Sequence, residues 1–344
     1  MKKPSRLHKG DTVAIVSLSS GIAGDNAYLW RTMQGLKNLK RQFDLKIKIM
    51  PNALKGSTYL ANHPQARAND LNEALKDMEV KAILNCIGGN DAHVILPYID
   101  EHLLKSNPKL FMGYSDTTSI HLLFYKMGIV SYYGPTLLTD FAENGSMDQY
   151  TIEHIEHCWF KNTERLTISP SKYIRTEGED WMNGNNLVQR GKQINGGHEL
   201  LNGNQTVTGK LFGGNLETLI KHIQSDLFPK PKELEGAILF IETSELDLSV
   251  EDFTYYLNLL LTDEMLENLN GIIVGKPYLN IKYEQYKQVI IDKFKSTSNC
   301  TIPILYNLSF GHNEPKAIIP YGLKAEINCK LQNFSIIEKF TSYD

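Results

Sequence analysis

The first 140 residues alternate between short apolar runs and longer stretches whose apolar residues recur at helical spacing. This spacing predicts strands at residues 11–18, 45–50, 80–87 and 110–112, and helices at residues 27–41, 65–77, 94–104 and 116–127. Strands that alternate with helices form a parallel sheet with helices on both faces. We therefore predict an α/β fold here, with functional residues at the carboxyl ends of the strands, where ligands of such sheets bind.

The pattern changes after about residue 160. Residues 175–204 are rich in Gly, Asn and other polar residues and contain Trp181, which predicts a long irregular connection of the functional or mobile kind. Beyond it we predict strands at 207–211, 236–242, 271–275 and 303–306, a turn at 213–214, helices at 216–224, 249–260 and 283–294, and short strands within 317–338. This part is interpreted as a second, mostly stranded α+β domain. The chain divides into residues 1–160, 161–205 and 206–344.

Composition excludes several classes of protein. The net charge is −3, so the chain lacks the excess of basic residues that is typical of a nucleic-acid-binding protein. It also contains no run of about twenty apolar residues, which a membrane-spanning helix would need. The four cysteines show no CxxC or Cys/His spacing, which argues against a zinc site and against a disulfide framework. The first residues contain no apolar signal-peptide core. We expect a cytoplasmic protein without nucleic-acid or membrane partners.

One serine stands at the junction of a predicted strand and a predicted helix, in the segment Gly113-Tyr-Ser115-Asp-Thr117. The first N–H groups of a helix are unpaired and the helix dipole is positive there, so an alkoxide or oxyanion is stabilised. The segment is related to the Gly-x-Ser-x-Gly nucleophile elbow, with Thr117 in place of the second glycine. The alternative is that Ser115 only caps the helix.

Two further residues complete the set that serine hydrolysis needs. Glu242 ends a predicted strand, and His312 follows Gly311 in a strand-to-loop turn. Such hydrolysis requires a hydroxyl, an imidazole that accepts its proton, and a carboxylate that orients the imidazole. Other histidines, such as His154 and His157, are expected on a solvated helix face. The alternative is that Glu242 is an ordinary strand-end acid and His312 an ordinary loop histidine.

The turn Gly88-Gly89 follows another predicted strand. Glycine lets backbone N–H groups come close to a substrate carbonyl, which an oxyanion hole requires. Such a turn also suits a phosphate, but the chain has neither the GxGxxG fingerprint nor a P-loop, so a nucleotide cofactor is disfavoured.

Together these motifs resemble the LD-carboxypeptidase family of serine peptidases, which also contains the microcin C immunity proteins. The resemblance runs from residue 10 to residue 322 and is carried by Gly10-Asp-Thr-Val-Ala-Ile-Val16, Ile87-Gly-Gly-Asn-Asp91, Gly113-Tyr-Ser-Asp-Thr-Thr118, Tyr133-Gly-Pro135, Gly209-Lys-Leu-Phe-Gly-Gly-Asn-Leu-Glu217, Phe240-Ile-Glu242, Gly311-His312 and Ile319-Pro-Tyr-Gly322. Several motifs in the right order are far more specific than any one of them.

The resemblance implies a Rossmann-like N-terminal domain, a smaller β-rich C-terminal domain, a homodimer, and a Ser-His-Glu triad between the domains. It implies that Ser115 is the nucleophile, that His312 is the general base and then the acid, and that Glu242 orients His312. The N–H groups of Gly89 and Asp116 would form the oxyanion hole. No metal and no cofactor are implied.

The branch of the family is indicated by two differences. Muropeptide carboxypeptidases usually have Arg-Gly-Gly-Tyr-Gly where this chain has Ile87-Gly-Gly-Asn-Asp91, and His-Gly-Pro where it has Tyr133-Gly-Pro. Both differences resemble the microcin immunity branch, which cleaves an amide between an acyl amino acid and a nucleotide-like group. Trp181 resembles that branch's platform for the nucleobase; the alternative is that it only pins its loop. The predicted substrate contacts are Gly88, Asn90, Asp91 and Trp181.

The sequence therefore predicts a serine hydrolase that cleaves an amide bond in a small peptidyl- or aminoacyl-nucleotide compound. The enzymatic alternative is removal of D-alanine from murein tetrapeptides during cell-wall recycling. The alternative from another class is a binding module that holds a small ligand without turnover. Ser115→Ala separates these classes, because only a hydrolase loses its function while ligand binding is kept.

Overall fold

The computed structural model describes residues 1–161, 163–178, 181, 187–297 and 300–342. The strands of the first part are β1 (Thr12–Val16), β2 (Lys46–Ile49), β3 (Val80–Asn85), β4 (Leu110–Gly113) and β5 (Tyr132–Tyr133). They form a sheet in the order β5-β4-β3-β1-β2, and each neighbouring pair is parallel. The predicted Rossmann-like α/β arrangement is confirmed.

The helices around this sheet are α1 (Leu29–Phe43), α2 (Ser57–Asn62), α3 (Pro64–Lys76), α4 (Glu101–Ser106), α5 (Thr118–Lys126) and α6 (Gln149–Trp159). The single helix predicted at 94–104 is wrong. The chain instead forms a 3₁₀ helix, Ala92–Tyr98, followed by α4. Pro97 has no N–H to donate within a helix, and the Asp100 side chain caps α4 by accepting from the N–H groups of His102 and Leu103.

The later strands are β6 (Leu166–Ile168), β7 (Tyr173–Arg175), β8 (Lys192–Ile194), β9 (Glu199–Asn202), β10 (Thr206–Asn215), β11 (Ala237–Glu242), β12 (Leu269–Gly275), β13 (Ile304–Leu308), β14 (Ile319–Pro320), β15 (Lys324–Asn328) and β16 (Asn333–Ile336). The later helices are α7 (Leu216–His222), α8 (Val250–Leu260), α9 (Asp263–Asn268) and α10 (Tyr283–Ser296). The second sheet runs β6-β16-β15-β10-β11-β12-β13-β9, with β10 to β13 parallel and the other pairs antiparallel.

Two local predictions in this part are wrong, and one helix was missed. The predicted turn at 213–214 lies inside β10, and its glycine is explained by close packing: a Cβ on Gly213 would lie 1.8 Å from the carbonyl oxygen of Phe240 in β11. Helix α9 was not predicted. The predicted irregular connection contains β8 and β9; its residues 179–180 and 182–186 lie outside the described residues.

The two parts of the chain share a core. Strand β14, from the end of the chain, pairs antiparallel with β5 and so extends the first sheet. One apolar cluster contains buried side chains of both sheets, among them Ile15, Tyr133, Phe240 and Leu305. Elements from distant parts of the chain are therefore held rigidly against each other. None of the described helices is long and apolar enough to cross a bilayer.

Candidate active site

A chain of hydrogen bonds joins a hydroxyl, an imidazole and a carboxylate at the junction of the two sheets. The Oγ atom of Ser115 lies 3.0 Å from Nε2 of His312, and Nδ1 of His312 lies 2.7 Å from Oε2 of Glu242. The backbone N–H of His312 also donates to Oε2 of Glu242 at 2.9 Å. His312 and Glu242 are buried, whereas Ser115 is partly exposed. An alcohol, an imidazole and a carboxylate in this order can activate the alcohol as a nucleophile.

The backbone presents the Ser115 hydroxyl at a sharp turn. Ser115 follows the end of β4, begins the 3₁₀ helix Ser115–Thr117, and has a φ angle of 65°, in the left-handed region that serine rarely adopts. Its carbonyl accepts a hydrogen bond from Oγ1 of Thr118 at 2.7 Å. Backbone strain of this kind persists where surrounding contacts hold it, and it is typical of functional residues.

Tyr133 supports both ends of this hydrogen-bonded chain. Its hydroxyl donates to Oε1 of Glu242 at 2.6 Å and accepts the backbone N–H of Ser115 at 3.0 Å. Burial, reinforced by the charge of Glu242, raises the pKa of Tyr133 well above its usual value, so the phenol remains a donor. The sequence analysis gave Tyr133 no role; its position at the end of β5, beside the strand that leads to Ser115, was the available signal.

Acidic groups dominate the surroundings of His312. Burial alone would lower the pKa of His312, but the charges of Glu242, Glu245 and Glu217 outweigh it and raise the pKa to about 9. The preceding residue is a glycine for a steric reason: Gly311 has a φ of 89°, and a Cβ there would lie 2.4 Å from Oε2 of Glu242. The imidazole is therefore biased toward its protonated form before any substrate binds.

The Gly88-Gly89 turn packs directly against the serine. A Cβ on Gly88 would lie 2.6 Å from Cβ of Ser115, and one on Gly89 would lie 2.3 Å from Oγ of Ser19. The backbone N–H of Ser20 donates to the carbonyl of Gly88 at 3.2 Å and holds the turn in place. The turn thus brings backbone close to the Ser115 hydroxyl, as an oxyanion hole requires.

Asp116, which is buried, and Asp91, which is partly exposed, belong to a hydrogen-bonded network beside this turn. Oδ2 of Asp116 accepts from Oγ of Ser19 and from the N–H of Ala92, and burial raises the pKa of Asp116. Oδ1 of Asp91 accepts from Ser19 at 3.2 Å and pairs with the fully buried Arg67 at 2.9 Å. These side chains support the turn. The oxyanion role of the Asp116 N–H and the substrate contact of Asp91 stay predictions.

A cavity of about 340 Å³ opens in front of Ser115. The residues that line it come from both halves of the chain and include Gly88, Gly89, Tyr114, Ser115, Trp181, Arg190, Glu245, His312 and Glu314. At its buried side, Nζ of Lys316 pairs with Oε1 of Glu314 at 2.7 Å and with Asp140 at 3.1 Å. Burial would raise the pKa of Glu314, but the charges of Lys316 and Arg190 outweigh it and lower the pKa to about 2.

Trp181 forms one wall of this cavity and has contacts of its own. The guanidinium carbon of Arg31 lies 4.7 Å from the centre of its ring system, and the Tyr28 ring meets it edge-on at 6.3 Å. Its carbonyl accepts from Nε1 of Trp30 at 3.0 Å. Both interpretations of Trp181 are thus compatible with its position, because the residue is pinned and also faces the cavity.

A smaller cavity of about 90 Å³ lies on the other side of the serine. It is lined by Gly89, Asn90, Ser115, Asn215, Glu217, Thr218, Lys221, Ser244, Glu245 and Leu246. Asn90 therefore lines a space beside Ser115, as a substrate contact would. The described residues contain no group of three His, Cys, Asp or Glu side chains arranged to hold a metal ion.

Comparison with known families decides the classification. Residues 13–134 match the LD-carboxypeptidase N-terminal domain, and residues 208–327 match the LD-carboxypeptidase C-terminal domain. The chain belongs to the LD-carboxypeptidase family of serine peptidases. The first matched segment contains Gly88, Ser115 and Tyr133, and the second contains Glu242 and His312.

Individual members of the LD-carboxypeptidase family resemble the chain over almost its whole length. The microcin C7 self-immunity protein MccF of Escherichia coli is 28% identical over 97% of this chain and 95% of its own. A solved MccF-like protein of Streptococcus pneumoniae in complex with AMP is 33% identical, with a TM-score of 0.87, over 94% of this chain and 98% of its own. MccF in complex with aspartyl sulfamoyl adenosine is 26% identical, with a TM-score of 0.85, over 99% of this chain and 100% of its own.

One expectation about the histidines is wrong, and two residues of the candidate site were missed. His154 was expected to face solvent, but α6 turns it inward, where it is buried and its pKa falls to about 3 through desolvation. Tyr133 and Glu245 were not assigned to the site by sequence reasoning. Glu245 has no sequence signal of its own, because it is an acid in a loop with ordinary neighbours.

Proposed function

We propose that this protein is a serine hydrolase that cleaves the amide bond of aminoacyl- or peptidyl-nucleotide compounds. The observation that carries the proposal is the hydrogen-bonded chain of Ser115, His312 and Glu242, which opens into a cavity large enough for a nucleoside and walled by Trp181. Membership of a serine peptidase family supports the same reaction class.

In the proposed reaction Ser115 is the nucleophile. Its Oγ attacks the carbonyl carbon while its proton passes to Nε2 of His312, and Glu242 stabilises the resulting imidazolium. The N–H groups of Gly89 and Asp116 are proposed to bind the oxyanion. His312 then gives its proton to the leaving nitrogen, and an acyl-enzyme remains. Water, deprotonated by His312, releases the acyl group and restores the Ser115 hydroxyl.

The substrate class is proposed from the shape of the site and from related proteins. An indole can stack a purine for about 1–3 kcal/mol, which suits Trp181 at the cavity wall. MccF has been solved with aspartyl sulfamoyl adenosine and the S. pneumoniae protein with AMP. We propose that the nucleoside occupies the larger cavity and that the acyl part occupies the smaller one, with the scissile carbonyl at Ser115.

A second candidate is trimming of D-alanine from murein tetrapeptides, which the LD-carboxypeptidase activity in the family's description favours. To distinguish the two candidate functions, the protein is incubated separately with aspartyl sulfamoyl adenosine and with an L,D-tetrapeptide. The released products are quantified by mass spectrometry. We expect turnover of the nucleoside amide; turnover of the tetrapeptide alone would replace the proposal by the second candidate. Ser115→Ala is expected to bind the nucleoside amide without cleaving it. Binding without turnover by the wild-type protein would indicate a binding module.

We also propose that the protein works as a cytoplasmic homodimer, as the family resemblance implies. Size-exclusion chromatography with light scattering measures the mass directly. The chain has a mass of 39.0 kDa, so a peak at that mass under dilute conditions would contradict the dimer.

A further inference from the structure

Glu245 occupies a position in the site that the proposed mechanism does not use. It follows β11 by three residues and lines both the larger and the smaller cavity. Its Oε2 lies 3.1 Å from Nε2 of His312, and its side chain is 56% exposed. Glu242, on the other side of the same imidazole, is fully buried. Glu245 is therefore the carboxylate of this pair that has room to exchange one partner for another.

The contact with Glu245 conflicts with the use of His312 as a base. Nδ1 of His312 donates to Glu242, so in a neutral imidazole Nε2 carries only a lone pair, which accepts the Ser115 hydroxyl. A carboxylate at 3.1 Å from Nε2 favours a proton on that nitrogen. With that proton in place His312 cannot accept another one from Ser115. Without substrate, Glu245 therefore holds His312 in the form that cannot start the reaction.

The groups around His312 make this place attractive to a cation. Glu242 and Glu245 contact the ring, Glu217 adds its charge from α7, and Glu314 lies within electrostatic reach. The rings of Tyr114 and Tyr133 pack nearby without charge; Lys316 pairs with Glu314 behind Tyr114. In the smaller cavity Glu217 and Glu245 face the single cation Lys221 among the described lining residues.

Distances limit which part of a substrate can meet Glu245. Its Oε2 and the Ser115 Oγ lie 3.1 Å and 3.0 Å from the same nitrogen, so they are at most about 6 Å apart. The Oγ atom attacks the scissile carbonyl carbon, and an α-amino group is attached one carbon away from it. An ammonium at that place lies within reach of Glu245, whereas the nucleoside extends into the larger cavity.

We propose that Glu245 is a specificity-determining residue that exchanges His312 for an α-ammonium group on the acyl part of the substrate. The inference rests on the proposed function. When the ammonium pairs with Glu245, the imidazole loses one of its stabilising charges and releases its Nε2 proton to solvent water. His312 is then neutral and accepts the Ser115 proton. The site thus becomes competent when an acyl group with a free amine arrives.

The test compares two substrates that differ by one ammonium group: aspartyl sulfamoyl adenosine and its deamino analogue, succinyl sulfamoyl adenosine. The proteins are the wild type, Glu245→Gln and the control Glu251→Gln, which changes an exposed carboxylate in the first turn of α8. We expect Glu245→Gln to lower the ratio of kcat/KM for the amine over the deamino substrate by about tenfold. The control is expected to keep the wild-type ratio.

A second readout separates this role from a merely structural one. With the deamino substrate, the acid limb of kcat/KM is expected to move to lower pH in Glu245→Gln, because one carboxylate no longer favours the imidazolium. An unchanged substrate ratio in a folded Glu245→Gln protein overturns the inference and leaves the proposed function intact. Turnover that survives in Ser115→Ala, or no turnover of either substrate by the wild type, overturns the proposed function and the inference with it.

Discussion

The sharpest prediction concerns Glu242→Gln. Glu242 accepts three hydrogen bonds: Oε2 accepts from Nδ1 and from the backbone N–H of His312, and Oε1 accepts from the Tyr133 hydroxyl. A glutamine has one accepting oxygen, so its NH₂ group must face a donor on one side. If it faces Nδ1, the imidazole shifts its proton to Nε2 and can no longer accept from Ser115. By analogy with serine hydrolases that lose this charge, kcat is expected to fall about ten-thousand-fold.

The same substitution changes stability in a pH-dependent way. The rise of the His312 pKa from 6.5 to about 9 corresponds to about 3 kcal/mol in favour of the imidazolium. Because the folded-state pKa is raised, this stabilisation is fully present below pH 6.5 and is lost as pH rises through about 9. The unfolding free energy of the wild type should therefore exceed that of Glu242→Gln by the largest amount at low pH. The difference in unfolding free energy should shrink by up to about 3 kcal/mol across that window.

The assay is guanidinium unfolding of both proteins at about pH 6, 8 and 9.5, which spans the titration of His312, with kcat measured on aspartyl sulfamoyl adenosine. Glu251→Gln, an exposed carboxylate outside the site, is the control and should follow the wild type. Retention of kcat within about tenfold, or a stability difference that stays constant with pH, would refute the reasoning. A retained kcat would show that Glu242 does not orient His312. A constant stability difference would show that the charge of Glu242 does not raise the pKa of His312.

Three further predictions follow from contacts in the site. Gly88→Ala places a Cβ 2.6 Å from Cβ of Ser115, so kcat should fall roughly a hundredfold and the unfolding midpoint should also fall; an unaffected kcat would mean that the turn can retreat. Tyr133→Phe leaves the Ser115 N–H without its acceptor and should cost roughly tenfold in kcat, measured with the nucleoside amide; a wild-type rate would contradict this. Lys316→Met removes the buried cation that pairs with Glu314 and with Asp140, and should lower the unfolding free energy by about 3–5 kcal/mol in denaturant titrations, unlike a surface substitution such as Lys324→Met.

The parts of the fold that could be predicted best from the sequence are those in which one local pattern indicates both the type of element and its burial. The runs that became β1, β3, β4 and β11 are mostly apolar, since a parallel strand is largely covered on both faces, and each was predicted. The prediction failed where contacts with distant parts of the chain determine the local structure. Gly213 looks like a turn residue, but its missing side chain lets β10 lie against Phe240 of β11. Nothing local to Gly213 indicates that contact.

Some residues of the candidate site could likewise be predicted from the sequence, and others could not. Ser115, Glu242 and His312 could be proposed from sequence because each stands at or just beyond the end of a strand, although Ser115 follows a strand of the first sheet and Glu242 and His312 belong to the second. Tyr133 and Glu245 were not predicted, because their side chains have the same chemistry as those of the other tyrosines and glutamates of the chain. Their importance lies in distances of 2.6 Å to Glu242 and 3.1 Å to His312, which exist only after the two sheets pack together.

In this chain Ser115, Glu242 and His312 lie at or just beyond strand ends, where ligands of α/β sheets bind. A residue that selects the substrate needs only to reach the reacting atoms from a loop, and Glu245 does so with a side chain that is more than half exposed. Replacing Glu245 is expected to leave the fold and the Ser115–His312–Glu242 chain intact, because the hydrogen bonds of that chain do not include Glu245. We therefore expect substrate preference to change by loop substitutions beside His312, while the reaction itself stays the same.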